Sequence, residues 1–507
     1  MTLRFGTAGL RGPVGDGPDH MNVPVVTRTT AGLAVWLIEH GHGGGTVVVG
    51  CDARTGSAEF FTAATEVLAA AGFDVVALPR PLPTPVTAYA VQALGAVAGV
   101  QITASHNPAS DNGYKVYLSG GAQLVSPADR EIEAAIDAAP DAAAVPRTPV
   151  EPVGDELVER YLDRVASLPR SGHRDLRIAL TPLHGVGGDT AVAALRRAGF
   201  TDVHTVSSQF APDPAFPTVA YPNPEEPGAT DALLTLAAEV HADLAIALDP
   251  DADRCAVGVR DGTGWRMLRG DETGVLLGDR ILAHAPIGSL VATTIVSSTM
   301  LGDVAHARRA RFARTLTGFK WLTRAGDGLV YAYEEAVGHC VDPDAVRDKD
   351  GVATAVLVAD LAAELKAAGR GLIDALDDLY REFGVHLGDQ VSIRSDDLTR
   401  VDAIMAALRA DPPETLAGVP VTTTDLATGG GALTTDALVF EGIGVRVVVR
   451  PSGTEPKLKC YLETTARYED RPVAHAALDA LRRWATALGA TAGGGPPRLR
   501  TGTVSRT

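Results

Sequence analysis

Short apolar, β-branched runs alternate along this chain with longer Ala-rich stretches of helical periodicity. TVVVGC (46–51) predicts a strand, SAEFFTAATEVLAAAG (57–72) a helix that ends on glycine, and FDVVAL (73–78) another strand. The alternation returns around LRIALT (176–181), DLAIAL (243–248) and LVATTIV (290–296). Strand–helix–strand repetition of this kind builds parallel or mixed sheets covered by helices. A Pro- and Ala-rich stretch without periodicity, 139–154, reads as a linker. Further boundaries fall near 262–270, after VGVRDGTGWRML, and near 384–389, after the helical GLIDALDDLYREFG. The expected class is α/β: three similar mixed-sheet domains (1–150, 151–266, 267–385) and a smaller C-terminal α+β domain (386–490), sharing a central cleft. Residues 491–507, TAGGGPPRLRTGTVSRT, read as a poorly ordered tail.

Length agrees with this division, since domains run about 100–200 residues and the chain has 507. Apolar content of 46% suits a globular protein. A formal charge of −17 argues against nucleic acid or an acidic membrane surface as partner, because both require basic surface. A small anionic substrate is compatible, given a local Arg/Lys pocket. The four cysteines, Cys51, Cys255, Cys340 and Cys460, have neither CxxC nor zinc spacing and read as reduced thiols. With no signal-like apolar core at the N-terminus and no run of about 20 apolar residues, the expectation is a soluble, cytoplasmic protein.

The informative regularity is where the polar clusters fall. VAGVQI runs into TASHNP (103–108), DLAIAL into DPDADR (249–254), GLVYAY into EEAVGH (334–339), and VRVVV into RPSGTEPK (450–457). In open α/β sheets, ligands bind beyond the carboxyl ends of the strands, where loops converge. Any one cluster can be an ordinary turn; four in the same position point to one shared site.

Asp249, Asp251 and Asp253 alternate along DPDADR. Crowded carboxylates repel one another, and burial raises their pKa; a divalent cation removes both penalties. The EF-hand pattern fails, because Arg254 stands where it needs Gly and Arg260 where it needs Glu. A small oxygen set leaves room for a phosphate oxygen, which suits Mg²⁺, with Arg254 at the same phosphate. The alternative is a solvated acidic turn. In RPSGTEPK, Arg450 offers a planar fork of donors, Ser452 and Thr454 offer hydroxyls, and Gly453 permits close backbone approach: an anion cradle, or a polar hairpin. Glu334 and Glu335 suit sugar hydroxyls or a solvated face. GTAGLRG (6–12) carries Arg11 among glycines without the order of a nicotinamide site. Around Ser105 the GxSxG elbow is absent. Because neighbouring residues tend to point to different sides, His106 is not an obvious base for it. Beside a metal-binding cluster and phosphate sites, the serine suits accepting and returning a phosphoryl group, with Lys115 and His106 stabilising charge or moving protons.

TASHNP, DPDADR, the Glu-rich loop and RPSGTEPK, in this order across roughly 4–465, resemble the α-D-phosphohexomutase superfamily of phosphoglucomutases and phosphomannomutases. The resemblance implies a four-domain protein with Ser105 as phosphoserine and Mg²⁺ held by Asp249, Asp251, Asp253 and a Ser105 phosphate oxygen. It implies catalytic positions at Ser105, His106, Lys115, Arg254, Arg11 and Lys349. Substrate contacts are implied at Thr317, Gly318, Glu334, Ala336, His339, Arg450, Ser452, Gly453, Thr454 and Lys457. A sugar bisphosphate such as glucose 1,6-bisphosphate is the implied activator. TPLHGVG (181–187), FPTVAYPNPEEPGA (216–229), TLTGFKW (315–321) and FGTAGLRG look like the phosphopentomutase-type branch. Ala336 stands where many relatives have a sugar-binding Ser, which weakens a hexose preference. The implied partner is a small phosphosugar, with no nucleic acid or membrane, and the implied assembly a monomer or weak dimer. A phosphatase using the strand-to-DxD pattern leaves Ser105 and residues 450–457 unused; a mere phosphosugar-binding protein needs no nucleophile.

Overall fold

The structure, a computed structural model, describes residues 3–5, 9–262, 264–395, 398–429, 431, 433–452 and 457–490. The first sheet comprises β1 (Leu10–Pro13), β2 (Thr46–Cys51), β3 (Asp74–Ala77), β4 (Ala98–Ile102) and β5 (Asp111–Leu118), in the order β1-β5-β4-β2-β3. β2 runs parallel to β3 and β4, and β5 returns antiparallel to β4. Parallel neighbours require crossovers. The helices Ser57–Ala70 and Thr84–Ala93 supply them, the first ending before Gly72, whose φ of +87° a side chain would oppose. Strands covered on both faces read as unbroken apolar runs, and Val47, Val48 and Val49 are all fully buried.

The second sheet repeats this plan with β6 (Ile178–Thr181), β7 (Val203–Thr205), β8 (Leu244–Leu248), β9 (Cys255–Asp261) and β10 (Gly264–Met267), ordered β10-β9-β8-β6-β7. The third has β11 (Leu290–Thr294), β12 (Arg311–Thr315), β13 (Leu329–Glu334) and β14 (Gly338–Cys340), ordered β12-β11-β13-β14. Setting aside the edge strands β1 and β10, all three sheets read second-first-third-fourth. The connection from the third to the fourth strand carries, in turn, Ser105, the Asp cluster and Glu334–Glu335. The stretch 139–154 holds only a 3₁₀ turn at Ala142–Ala144; Thr148 N–H donates to Glu66 O (3.0 Å) and Val153 N–H to Ala77 O (2.9 Å), tying it to the first sheet's domain.

The chain divides into two compact units: 1–292 with 305–313 and 318–375, and 293–304 with 314–317 and everything from 376 onward. In the second unit β15 (Val385–Arg394), the small hairpin β16 (Thr415–Leu416) and β17 (Val419–Pro420), β18 (Thr422–Asp425), β19 (Leu438–Gly442), β20 (Val445–Pro451) and β21 (Lys457–Ala466) follow one another. The main sheet, β15-β21-β20-β19-β18, is antiparallel throughout. Its alternating faces bury different partners: Phe440, Val447 and Val449 pack with Leu481 and Trp484 of the helix Arg471–Ala490, while Val439, Val448 and Tyr461 pack with Ile295 and Val296. Gly453 and Thr454, and the expected tail at 491–507, lie outside the described residues. Among the described residues no helix is long and apolar enough to cross a membrane.

Candidate active site

Beyond β4 the chain makes a tight polar turn. Thr103 Oγ1 accepts from Ser105 N–H (2.8 Å), and Ala104 O accepts from Asn107 N–H (3.1 Å). Ser105 takes a φ of +52°. Its side chain is buried, and Oγ donates to Asp249 Oδ2 at 2.8 Å. His106 Nδ1 lies 3.3 Å from the same oxygen. This corrects the expectation that adjacent side chains diverge: that rule holds for extended backbone, and the left-handed Ser105 turns both side chains to one side.

Beyond β8, Asp249 O accepts from Ala252 N–H (2.8 Å) and Asp249 Oδ1 from Arg254 N–H (3.0 Å), with Ala252 at φ +53°. The turn folds Asp249, Asp251 and Asp253 inward, all fully or almost fully buried, with one oxygen from each within 4.8 Å of the others. Burial first, then Asp251 and Asp253, push the Asp249 carboxyl well above its usual range, against Arg254 and the Ser105 hydrogen bond. Thr84 Oγ1 donates to Asp251 Oδ2 (2.6 Å) and Thr84 N–H to Asp251 O (2.9 Å). The buried Oδ1 atoms of Asp251 and Asp253 accept no hydrogen bond among the described residues. Three converging carboxylates, two with unused buried oxygens, fit a hard divalent cation with few protein ligands, the pattern of Mg²⁺.

Cations close the other side. Lys115 Nζ, from β5, lies 3.2 Å from Asp253 Oδ2 and 2.9 Å from Asp348 Oδ2; Lys349 Nζ lies 3.0 Å from Asp253 Oδ2. Burial opposes both ammonium charges, but Asp348 and Asp253 outweigh it and hold the two lysines protonated above their usual range. Reciprocally, Lys349 and Lys115 overcome burial to hold Asp253 below the usual carboxylate range. Arg254 Nε stands 3.9 Å from Asp249 Oδ2 and 4.0 Å from Asp253 Oδ1. Burial lowers the Arg11 pKa while Asp251 and Asp253 pull against it, which puts its guanidinium in the field of the same cluster.

The remaining expected residues are placed unequally. Glu334, at the end of β13, accepts from Gly318 N–H (2.5 Å), and burial followed by Glu335 raises its carboxyl. Ala336 is partly exposed in the same turn. His339 is 0% exposed, shares a hydrogen bond through Nδ1 with Tyr331 OH (2.9 Å), stacks on Tyr331 and Tyr333, and leaves a buried Nε2 without a hydrogen bond among the described residues. Burial pushes its pKa down to about 3, so the ring is neutral. Thr317, Arg450, Ser452 and Lys457 belong to the second unit, where Ser452 N–H donates to Lys457 O (2.8 Å).

With this geometry established, comparison with known proteins is direct. The chain matches the phosphoglucomutase/phosphomannomutase alpha/beta/alpha domains I (2–142), II (159–262) and III (269–383) and the C-terminal domain (392–480). It belongs to the phosphoglucomutase/phosphomannomutase family. Among curated relatives, a Haemophilus influenzae protein named "Probable phosphomannomutase" is 42% identical over 88% of this chain and 93% of its own. A Mus musculus phosphopentomutase is 32% identical over 92% and 84%. The crystal structure of a phosphoglucomutase/phosphomannomutase family protein from Burkholderia thailandensis shares the fold, at TM-score 0.75 and 20% identity, over 97% of this chain and 99% of that one.

Several residues of this family member's site escaped sequence reasoning. Asp348 is wholly buried and accepts from Tyr117 OH (2.7 Å) and Gln123 Nε2 (2.8 and 2.9 Å) while facing both lysines. Thr84 sits in a Pro-flanked helix start, and Arg54 in the CDAR turn after β2. The DxR after an apolar strand is the one signal that pointed to Arg54; Tyr117 and Thr84 carried none.

Proposed function

We propose that the chain moves a phosphoryl group between C1 and C6, or C5, of a sugar phosphate, through phospho-Ser105 and a sugar bisphosphate, acting as a phosphoglucomutase/phosphopentomutase. The observation that carries this is a buried hydroxyl, Ser105 Oγ, set 2.8 Å from one of three converging carboxylates, a cluster that Lys115, Lys349 and Arg254 flank. Chain membership in the family makes it an isomerase of the intramolecular phosphotransferase type.

In the forward half-reaction the P–O bond to Ser105 breaks as a P–O bond to a sugar hydroxyl forms; the sugar hydroxyl gives up its proton and the departing Ser105 oxygen takes one up, so the step is proton-neutral. Ser105 leaves with its oxygen, and His106 Nδ1, 3.3 Å away, is placed to exchange a proton with it. In the return half-reaction the other phosphate passes to Ser105. Asp249, Asp251 and Asp253 would hold Mg²⁺, which when bound neutralises charge on the migrating group. Lys115, Lys349, Arg254 and Arg11 neutralise phosphate oxygens, and Glu334 takes sugar hydroxyls. Between half-reactions the bisphosphate turns end for end, which needs a second anion site; Arg450, Ser452, Gly453, Thr454 and Lys457 supply it in this reading, with Thr317, Gly318, Ala336 and His339 along the sugar. Water must be excluded meanwhile, or phosphoserine hydrolyses. A sugar bisphosphate such as glucose 1,6-bisphosphate primes Ser105. The enzyme works in the cytoplasm as a monomer or weak dimer, with four domains divided near 150, 266 and 385.

The name of the Haemophilus influenzae relative favours a second reading, a phosphomannomutase of the same mechanism. Rates with glucose 1-phosphate, ribose 1-phosphate and mannose 1-phosphate, side by side, decide between them. Ser105→Ala tests the mechanism: isomerisation disappears and no phosphate is retained on the protein. Turnover by that variant would overturn the reading.

A further inference from the structure

Ser105 cannot hold its position unaided. A non-glycine residue at φ +52° pays a steric penalty in that conformation, and it persists only where its surroundings over-determine it. The turn's own hydrogen bonds, from Ser105 N–H to Thr103 Oγ1 and from Asn107 N–H to Ala104 O, engage its donors and leave its later carbonyls facing the interior.

One side chain binds four of them, while Ser110 O accepts from Val14 N–H (2.7 Å) and Pro108 O also accepts from Asp111 N–H (3.0 Å). Arg54 Nη2 donates to Ser105 O (2.5 Å) and Asn107 O (2.7 Å), and Nη1 donates to Pro108 O (2.8 Å) and Asp111 O (3.0 Å). Arg54 is 4% exposed, and all four contacts are to backbone carbonyls. Behind it, Asp52 Oδ2 lies 3.4 Å from Arg54 Nε, and Asp52 Oδ1 accepts from Ser57 Oγ (2.7 Å) and Arg54 N–H (3.0 Å). Phe216 covers one face, its ring centroid 5.0 Å from Cζ. A planar fork with five donors spans four diverging carbonyls; an ammonium, with three donors on one atom, does not.

We propose that Arg54 is the positioning residue of the nucleophile: by holding the four carbonyls of residues 105, 107, 108 and 111 it keeps Ser105 left-handed and Oγ aimed at Asp249. It touches no substrate. The inference rests on the mutase reading of Ser105, and the experiment separates the two.

Arg54→Lys and the near-isosteric Asp52→Asn are compared with the wild-type full-length enzyme. Steady-state kinetics, mass spectrometry of phosphate on Ser105 after incubation with glucose 1,6-bisphosphate, and amide exchange are measured for each. Misplacing a reacting atom by about 1 Å costs on the order of 100-fold in rate, so Arg54→Lys lowers kcat by about that factor with KM changed by less than about threefold. Asp52→Asn lowers it less. In both, amides of 103–112 exchange faster while those of β2 and β4 keep their protection. Wild-type kcat and Ser105 phosphorylation in Arg54→Lys overturn the proposal. So does destabilisation of both variants without selective exposure of 103–112, which assigns Arg54 to the core alone. If the wild-type enzyme itself neither isomerises sugar phosphates nor takes phosphate on Ser105, it is the mutase reading that fails.

Discussion

Ser105 Oγ and Asp251 Oδ1 show how much a single atom's surroundings decide. The first is a hydroxyl of ordinary chemistry made useful by Asp249 at 2.8 Å and His106 at 3.3 Å. The second is a buried carboxylate oxygen with no hydrogen bond among the described residues, which costs stability unless a cation takes it. Its partner oxygen is oriented by Thr84, 2.6 Å away. Outer contacts of this kind are worth about 10- to 100-fold in metal affinity. Thr84→Val therefore weakens Mg²⁺ binding by about tenfold or more while leaving the three aspartates in place, as calorimetric titration with MgCl₂ will show. Serine and aspartates were legible because they follow apolar strands in adjacent positions. Asp348 was not: its partners Tyr117 and Gln123 are more than 200 residues away along the chain.

Among the elements, the helix Gly351–Ala367 begins against the 249–254 turn, its Gly351 N–H donating to Ala252 O (3.2 Å). Asp350 caps it, accepting from Ala353 N–H (2.8 Å) and from Tyr161 OH (2.8 Å). Its first residue must be glycine for lack of room: a Cβ at Gly351 would stand 2.4 Å from Arg254 O and 2.7 Å from Ala252 O. Gly351→Ala forces backbone against backbone, and overpacking of this kind costs about 1–3 kcal/mol. Denaturant unfolding will show that loss in the first unit, together with reduced turnover as the 249–254 turn shifts. In the second unit, β21 carries the buried Glu463. Burial would raise its carboxyl, but hydrogen bonding and charge from His386, a bond from Ser298 and the charge of Arg446 hold it at about 2 against an ordinary 4.5. A depressed carboxyl pKa stabilises the fold fully above 4.5, and that contribution is lost as pH falls toward 2. Glu463→Gln flattens this acid limb, which urea melts of the second unit across that window will register.

At the scale of the molecule, three sheets share one strand order and spend the same connection on function. The acidic triplet and its four cations all lie in the first of the two units. Mg²⁺ therefore stabilises that unit, by about 2.7 kcal/mol at 100 times its Kd, and scanning calorimetry with and without MgCl₂ shows its melting rise. Strand and helix positions, the α/β class and the serine and aspartate clusters were determined by the sequence alone, because apolar periodicity and strand-end chemistry are local properties of a few consecutive residues. Only tertiary structure decided that His339 is buried and neutral, that His106 reaches Ser105, and that Arg54, Asp348 and Thr84 lie around Ser105 and the aspartates. Each of those outcomes depends on backbone sign or on partners distant in the chain, where no pattern of neighbours records them.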